Sequence, residues 1–173
     1  MRKPLLKKLT LCSIYSALAI ISFVIENLFP PLFLPGARMG VSNVFILICL
    51  ITLGPKHAVI SLILKTTLGS IISGNAFAIV YSLPSGLIAL TVETLALYLM
   101  KKVSILATSI MGAVINTTFQ NLTFCIITNT SQYLLYLPYL ALVSIVSGMI
   151  IGFAVYLTIK KLPNAIFTSN LRD

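Results

Sequence analysis

Acidic side chains are almost missing from this chain. Glu26, Glu93 and the final residue Asp173 are all it has. Enzymes that hold a magnesium-bound diphosphate need clustered aspartates, and a lone Asp at the end of the chain cannot form such a cluster. Glu26 and Glu93 fall in opposite halves of the bilayer on the reading below, too far apart to serve one reacting atom as acid and base. Histidine is nearly absent as well. The single His57 has no carboxylate, Cys or Ser partner at motif spacing, and it reads as a surface residue at a helix start. There is no Trp, so any aromatic lining must come from 9 Phe and 7 Tyr. Cys12, Cys49 and Cys125 all lie in apolar runs, with no metal-clip or redox spacing. No glycine-rich phosphate loop occurs. Neither a metal nor a cofactor is expected.

Charge as a whole is scarce, at 9% of residues against 58% hydrophobic, where a soluble domain carries about 25%. Mean hydropathy is +1.07. Lipid suits such a chain and water does not. The net charge of +9 does not point to nucleic acid, because the cations sit at the ends of apolar runs and not along one polar face. They suit anionic lipid headgroups.

The apolar runs suggest six spans, at about 9–29, 39–53, 57–72, 76–100, 104–128 and 138–159, in one integral membrane domain covering 1–173. Runs two and three are short for a span. Run four is interrupted by Pro84-Ser85-Gly86. Cations fill every second gap: Arg2, Lys3, Lys7 and Lys8 before run one, Lys56 between runs two and three, Lys101 and Lys102 between runs four and five, and Lys160, Lys161 and Arg172 after run six. Arg38 alone occupies an alternate gap. Since Lys and Arg favour cytoplasmic loops, both termini are expected inside. The N-terminus resembles a secretory signal, with Ala17-Leu18-Ala19 as a cleavage-like site. Its apolar run continues to about Phe29, beyond a signal core of roughly 7–15 residues, and so reads as an uncleaved helix in a bacterial plasma membrane. The expected fold class is an all-α membrane bundle.

Ionic and amide side chains inside the spans are costly and therefore informative. Lys65 lies near the middle of run three and Glu93 in the inner half of run four. They read either as a neutralising internal pair or as a pocket floor. Glu26, Arg38, Asn43, Asn75, Asn116 and Gln120 all map to the outer half. Glu26 and Arg38 could instead be solvated by headgroups, and Asn116 and Gln120, one turn apart, could only bridge helices. If these groups converge, they form a pocket for a small ligand with a polar head. Ser144, Gly148 and Gly152 give small-residue steps for close packing on run six. Ser13 and Ala17 give one on run one, where docking on another membrane subunit is an equal contender.

Two stretches carry a family resemblance. Glu26 to Pro31 followed by Pro35-Gly36-Ala37-Arg38-Met39-Gly40-Val41-Ser42-Asn43 resembles the pattern of a bacterial membrane family called Gx transporter, or heptaprenyl diphosphate synthase component I. Gly112-Ala113-Val114-Ile115-Asn116, continuing to Gln120, resembles that family's later motif, departing from it at Thr117 to Phe119 and in lacking a His before Asn116. The resemblance implies a six-helix substrate-binding S component of an energy-coupling-factor (ECF) transporter. Such a subunit captures a vitamin-like or precursor molecule from outside and works with a T component and two ATPase subunits. The docking face it implies is Ala-x-x-x-Ala, matched here by Ser13 and Ala17 with one departure. Two alternatives stand beside it: a membrane accessory subunit of a polyprenyl diphosphate synthase, and a scaffold for a membrane redox or quinone system.

Overall fold

The structure is a computed structural model and describes residues 2–28, 40–100 and 103–163. Among the described residues it contains six α-helices and no strand: α1 (Arg2–Leu28), α2 (Asn43–Leu53), α3 (Pro55–Ile72), α4 (Ala78–Leu99), α5 (Ile105–Thr128) and α6 (Leu137–Lys161). A 3₁₀ turn, Ser131–Tyr136, leads into α6. Four stretches are long and apolar enough to cross a membrane: Leu6–Leu28, Ala78–Leu99, Ile105–Thr128 and Leu134–Lys161.

α2 differs from these four. Its 11 residues extend only about 16 Å, roughly half of a 30 Å hydrocarbon core. It is apolar around its whole circumference, and every residue from Ile46 to Leu53 is buried. A helix with no polar face must lie inside, and α2 does, against α1, α3 and α6. Gly54 makes the reversal into α3 possible. Its φ of 95° lies in the region that favours glycine, and Pro55 follows at the first helical position, where its missing N–H costs nothing.

The helices meet in the cyclic order α1, α3, α4, α5, α6, α2, and α2 closes the ring on α1. Pairing is tightest where side chains are smallest. A Cβ added at Gly148 would come within 2.8 Å of the Ile110 backbone, and one at Gly152 within 2.9 Å of the Leu106 backbone. The Ser144–Gly148–Gly152 stripe of α6 is therefore spent on packing against α5, the close backbone approach that small residues allow in lipid.

More large apolar side chains are exposed than buried, including Ile60, Ile63, Leu64, Leu68 and Ile71 along α3. That helix buries Ser61, Lys65, Thr66, Gly69 and Ser70 instead. Turning the larger apolar side chains of α3 outward and its small and polar ones inward is stable in hydrocarbon, where apolar burial gains nothing between helices.

The expected break in run four does not occur, since α4 continues through Pro84. Proline removes one backbone donor, and membrane helices tolerate this when nearby groups re-satisfy the carbonyls. The Ser85 hydroxyl one residue later is held within the same turn, donating to the Ser82 carbonyl at 3.1 Å. Run five ends at Thr128 as expected. The left-handed Asn129, φ 52°, stops it, and Ser104 caps its start by accepting from the Ala107 N–H at 3.1 Å.

Candidate ligand-binding site

Geometry around α2 sets the depth of the site. α2 and α3 run antiparallel from Gly54, so Asn43, ten residues before Leu53, lies level with Lys65, ten residues after Pro55. The contact is direct: the Lys65 ammonium donates to Asn43 Oδ1 at 2.6 Å. Lys65 is only 4% exposed, and its Nζ stands 5.8 Å above the Phe23 ring of α1. Phe23 in turn occupies the space left by the missing side chain of Gly69. The first residue of α2 therefore sits near the middle of the bundle, with a cation beside it.

The structure gives Glu26 two partners within the chain. Its carboxylate accepts from the Val41 N–H at 2.6 Å and from the Ser42 hydroxyl at 3.1 Å. An anion at a helix N-terminus is favourable both as a hydrogen-bond acceptor and against the helix dipole. Glu26 thus ties the end of α1 to the start of α2, and its oxygens are already engaged by the chain.

Glu93 faces α5. A Cβ at Gly112 would overlap the Glu93 carboxylate, so the glycine provides its space. Glu93 is half-buried. Lys65 acts on it electrostatically. Among the described residues no hydrogen bond reaches the carboxyl group.

Asn116 lies one turn beyond Gly112 and Gln120 one turn beyond Asn116, so the three share the inward face of α5. Gln120 is buried. Among the described residues two buried side-chain polar atoms lack a partner, Asn116 Oδ1 and Ser70 Oγ. Leaving such an atom unpaired costs about 1–3 kcal/mol, so the interior carries polar capacity that the chain itself does not use.

The sequence-predicted residues thus separate into three groups. Lys65, Asn43, Glu93, Asn116 and Gln120 face the interior. Asn75 is exposed in the turn after α3 and does not join them. Arg38 lies outside the described residues. Ser13 and Ala17 are exposed on α1. His57 is half-buried at the start of α3, with Nδ1 3.2 Å from the Leu53 carbonyl. Sequence reasoning missed Ser42, Phe23 and Gly112. Only Gly112 carried a signal, as the first residue of the later motif.

A second polar cluster joins α1, α2 and α3 nearer their Lys7 and Lys56 ends. The Ser16 hydroxyl donates to Ser61 Oγ at 2.8 Å, while Cys12 and Cys49 stand 3.5 and 3.6 Å from the same oxygen. All three cysteines are free and buried, and no group of three or more His, Cys, Asp or Glu among the described residues could hold a metal.

An all-helical bundle with an apolar exterior, several helices of membrane-crossing length and a few buried polar groups is a multi-pass membrane protein. Residues 15–158 match the family described as heptaprenyl diphosphate synthase component I, and the chain belongs to that family. The description is of one component of a synthase, which agrees with the expectation that this chain is not itself an enzyme. No curated protein and no solved structure matches it.

Proposed function

We propose that this chain is the substrate-binding membrane subunit of an ECF-type importer. It spans a bacterial plasma membrane six times, counting α2 as a half-length element, with both termini cytoplasmic. In this reading it captures a small vitamin-like or precursor molecule from the outer side and delivers it with a T component and two ATPase subunits. One observation carries the reading. Lys65, Glu93 and Asn116 bring polar groups to the interior of an apolar bundle, and among the described residues the carboxyl group of Glu93 and the amide oxygen of Asn116 lack a hydrogen-bond partner. Evolution retains such groups in lipid where something binds them. A short helix whose N-terminus ends at mid-depth is also the arrangement by which many transporters present helix ends to a substrate. Glu26 supports the site by holding that helix end in place. Ser13 and Ala17, exposed and small, suit a docking face for the T component.

The family's description favours a second reading, in which the chain is an accessory subunit of a polyprenyl diphosphate synthase. Affinity capture from native membranes, read by mass spectrometry, separates the two. Recovery of a T component with ATPases supports the importer. A stoichiometric Asp-rich prenyltransferase without ATPases would overturn it. Within the importer reading, Ser13→Phe with Ala17→Phe removes the ATPases from the captured complex and leaves ligand retention intact.

A further inference from the structure

Cations gather at the end of the bundle where α1 and α3 begin and α6 stops. Cys12 Sγ lies 3.7 Å from the His57 carbonyl, which sets the start of α3 beside α1 one turn beyond Lys8. Ile159 packs into the same buried cluster as Cys12, Leu53 and Ala58, so α6 ends on this side as well. Exposed Lys7, Lys56, Lys160 and Lys161 and half-buried Lys8 therefore share one end. Among the described residues no carboxylate joins them. Glu26 sits near the far end of α1, on the start of α2, and Glu93 packs against Gly112. Like charges gathered on one surface repel one another, and no described side chain offsets them there. On three helices the cation also continues an exposed apolar stripe. Ile14 and Leu18 lie in line with Lys7 on α1, Ile60 and Leu64 with Lys56 on α3, and Leu157 and Phe153 with Lys161 on α6.

We propose that this end of α1, α3 and α6 is a binding surface for an anionic phospholipid. The lipid phosphate accepts charge-assisted hydrogen bonds from the lysines, and the acyl chains lie along the apolar stripes of the same helices. The stripes decide between partners. An acidic peptide in water would meet the charges but could not cover side chains that face hydrocarbon. A lipid does both, because its anionic and apolar parts join at the interface to which lysine side chains reach. The sequence places cations in several gaps, whereas the proposed surface uses only those of α1, α3 and α6. It is independent of whether the chain serves an importer or a synthase.

The test uses the full chain purified in nanodiscs of equal parts phosphatidylglycerol and phosphatidylcholine. Native mass spectrometry counts the lipids that stay bound. The wild type is expected to retain phosphatidylglycerol in about tenfold excess or more, as several lysines near one anionic headgroup predict. Replacing Lys8, Lys56, Lys160 and Lys161 together by Gln should leave the two lipids equally retained. Phosphatidylglycerol should raise the melting temperature of the wild type above its value in phosphatidylcholine alone, and should not raise that of the variant. A merely structural role for the lysines would not make stability depend on the lipid. Lys101→Gln with Lys102→Gln, on the α4–α5 connection, should keep the preference, and added poly-glutamate should not displace the lipid. Basic residues also steer insertion. If the fourfold variant inserts inverted, Lys160→Gln with Lys161→Gln decides alone, with an expected drop of about fivefold or more in the lipid ratio. The proposal is overturned by equal retention of the two lipids in the wild type or by an unchanged ratio in a correctly inserted variant. An equal loss in the Lys101 and Lys102 variant, or displacement by poly-glutamate, overturns it too.

Discussion

Two polar clusters share this bundle, and they are built on opposite principles. Near the Lys7 and Lys56 ends, the hydroxyls and thiols of Cys12, Ser16, Cys49 and Ser61 converge from three helices. Ser16 donates to both Ser61 Oγ and the Cys12 carbonyl, and both thiols reach Ser61. Every group is small, uncharged and paired. At mid-depth, Lys65, Glu93 and Asn116 bring formal charges and an amide, and the pairing is incomplete. The first cluster ties helices together through paired groups, the second leaves groups unpaired among the described residues, and hydrogen-bond accounting tells them apart where composition does not.

The sharpest attempt to break this contrast is removal of the charge at Lys65. Lys65→Leu strands Glu93 without its cationic neighbour and Asn43 without its donor. Losing one partner of a buried charge interaction costs about 3–5 kcal/mol. Chemical unfolding in detergent should show that loss, and Lys65→Leu with Glu93→Leu should recover most of it. A double variant as unstable as the single one would mean that the two charges are not coupled.

Gly112→Ala comes next. The new methyl group pushes the Glu93 carboxylate aside, an overpacking of about 1–3 kcal/mol. Adding Glu93→Ala should restore the melting temperature, because the obstacle is a side-chain end and not backbone. Gly148→Ala, whose added atom meets the Ile110 backbone, should have no such single-site suppressor on α5.

Within the closed cluster, Ser61→Ala removes the oxygen on which three side chains converge. Hydrogen bonds between membrane helices average only about 0.6 kcal/mol, so a decrease of about 1 kcal/mol in unfolding free energy is expected, with ligand retention unchanged. Asn116→Leu should have the smallest effect on stability, about zero or slightly favourable, because its buried oxygen has no bond to lose. A destabilisation as large as that of Ser61→Ala would erase the distinction between the clusters.

Much of this architecture is legible in the residues. The apolar runs locate the helices to within a few positions, since lipid demands long unbroken stretches of backbone satisfied within the helix. The halt at Asn129, the reversal at Gly54-Pro55 and the packing stripe on α6 follow from local chemistry. Pro84 misled because a break by proline is conditional: membrane helices tolerate the one lost donor when the surrounding bundle holds them. Candidate site residues were legible as types. A Lys, a Glu and amides within apolar runs stand out because each is expensive there. Their partners were not legible. Lys65 was matched with Glu93, which it does influence electrostatically, but its hydrogen bond to Asn43 was not foreseen. Nor was the tie between Glu26 and the start of α2 legible.

By itself, the sequence determined that this is a membrane-embedded helical chain and which few polar side chains it carries into the apolar phase, because hydropathy and helix signals act over one or two turns. Only the tertiary structure decided which of those polar groups satisfy one another. That outcome depends on helices that meet out of chain order, α1 beside α3 and α2 closing on α6, and on angstrom-scale differences in where side-chain ends arrive. Hydrogen bonds are short-ranged and directional, so no pattern along the chain encodes them until the bundle is assembled.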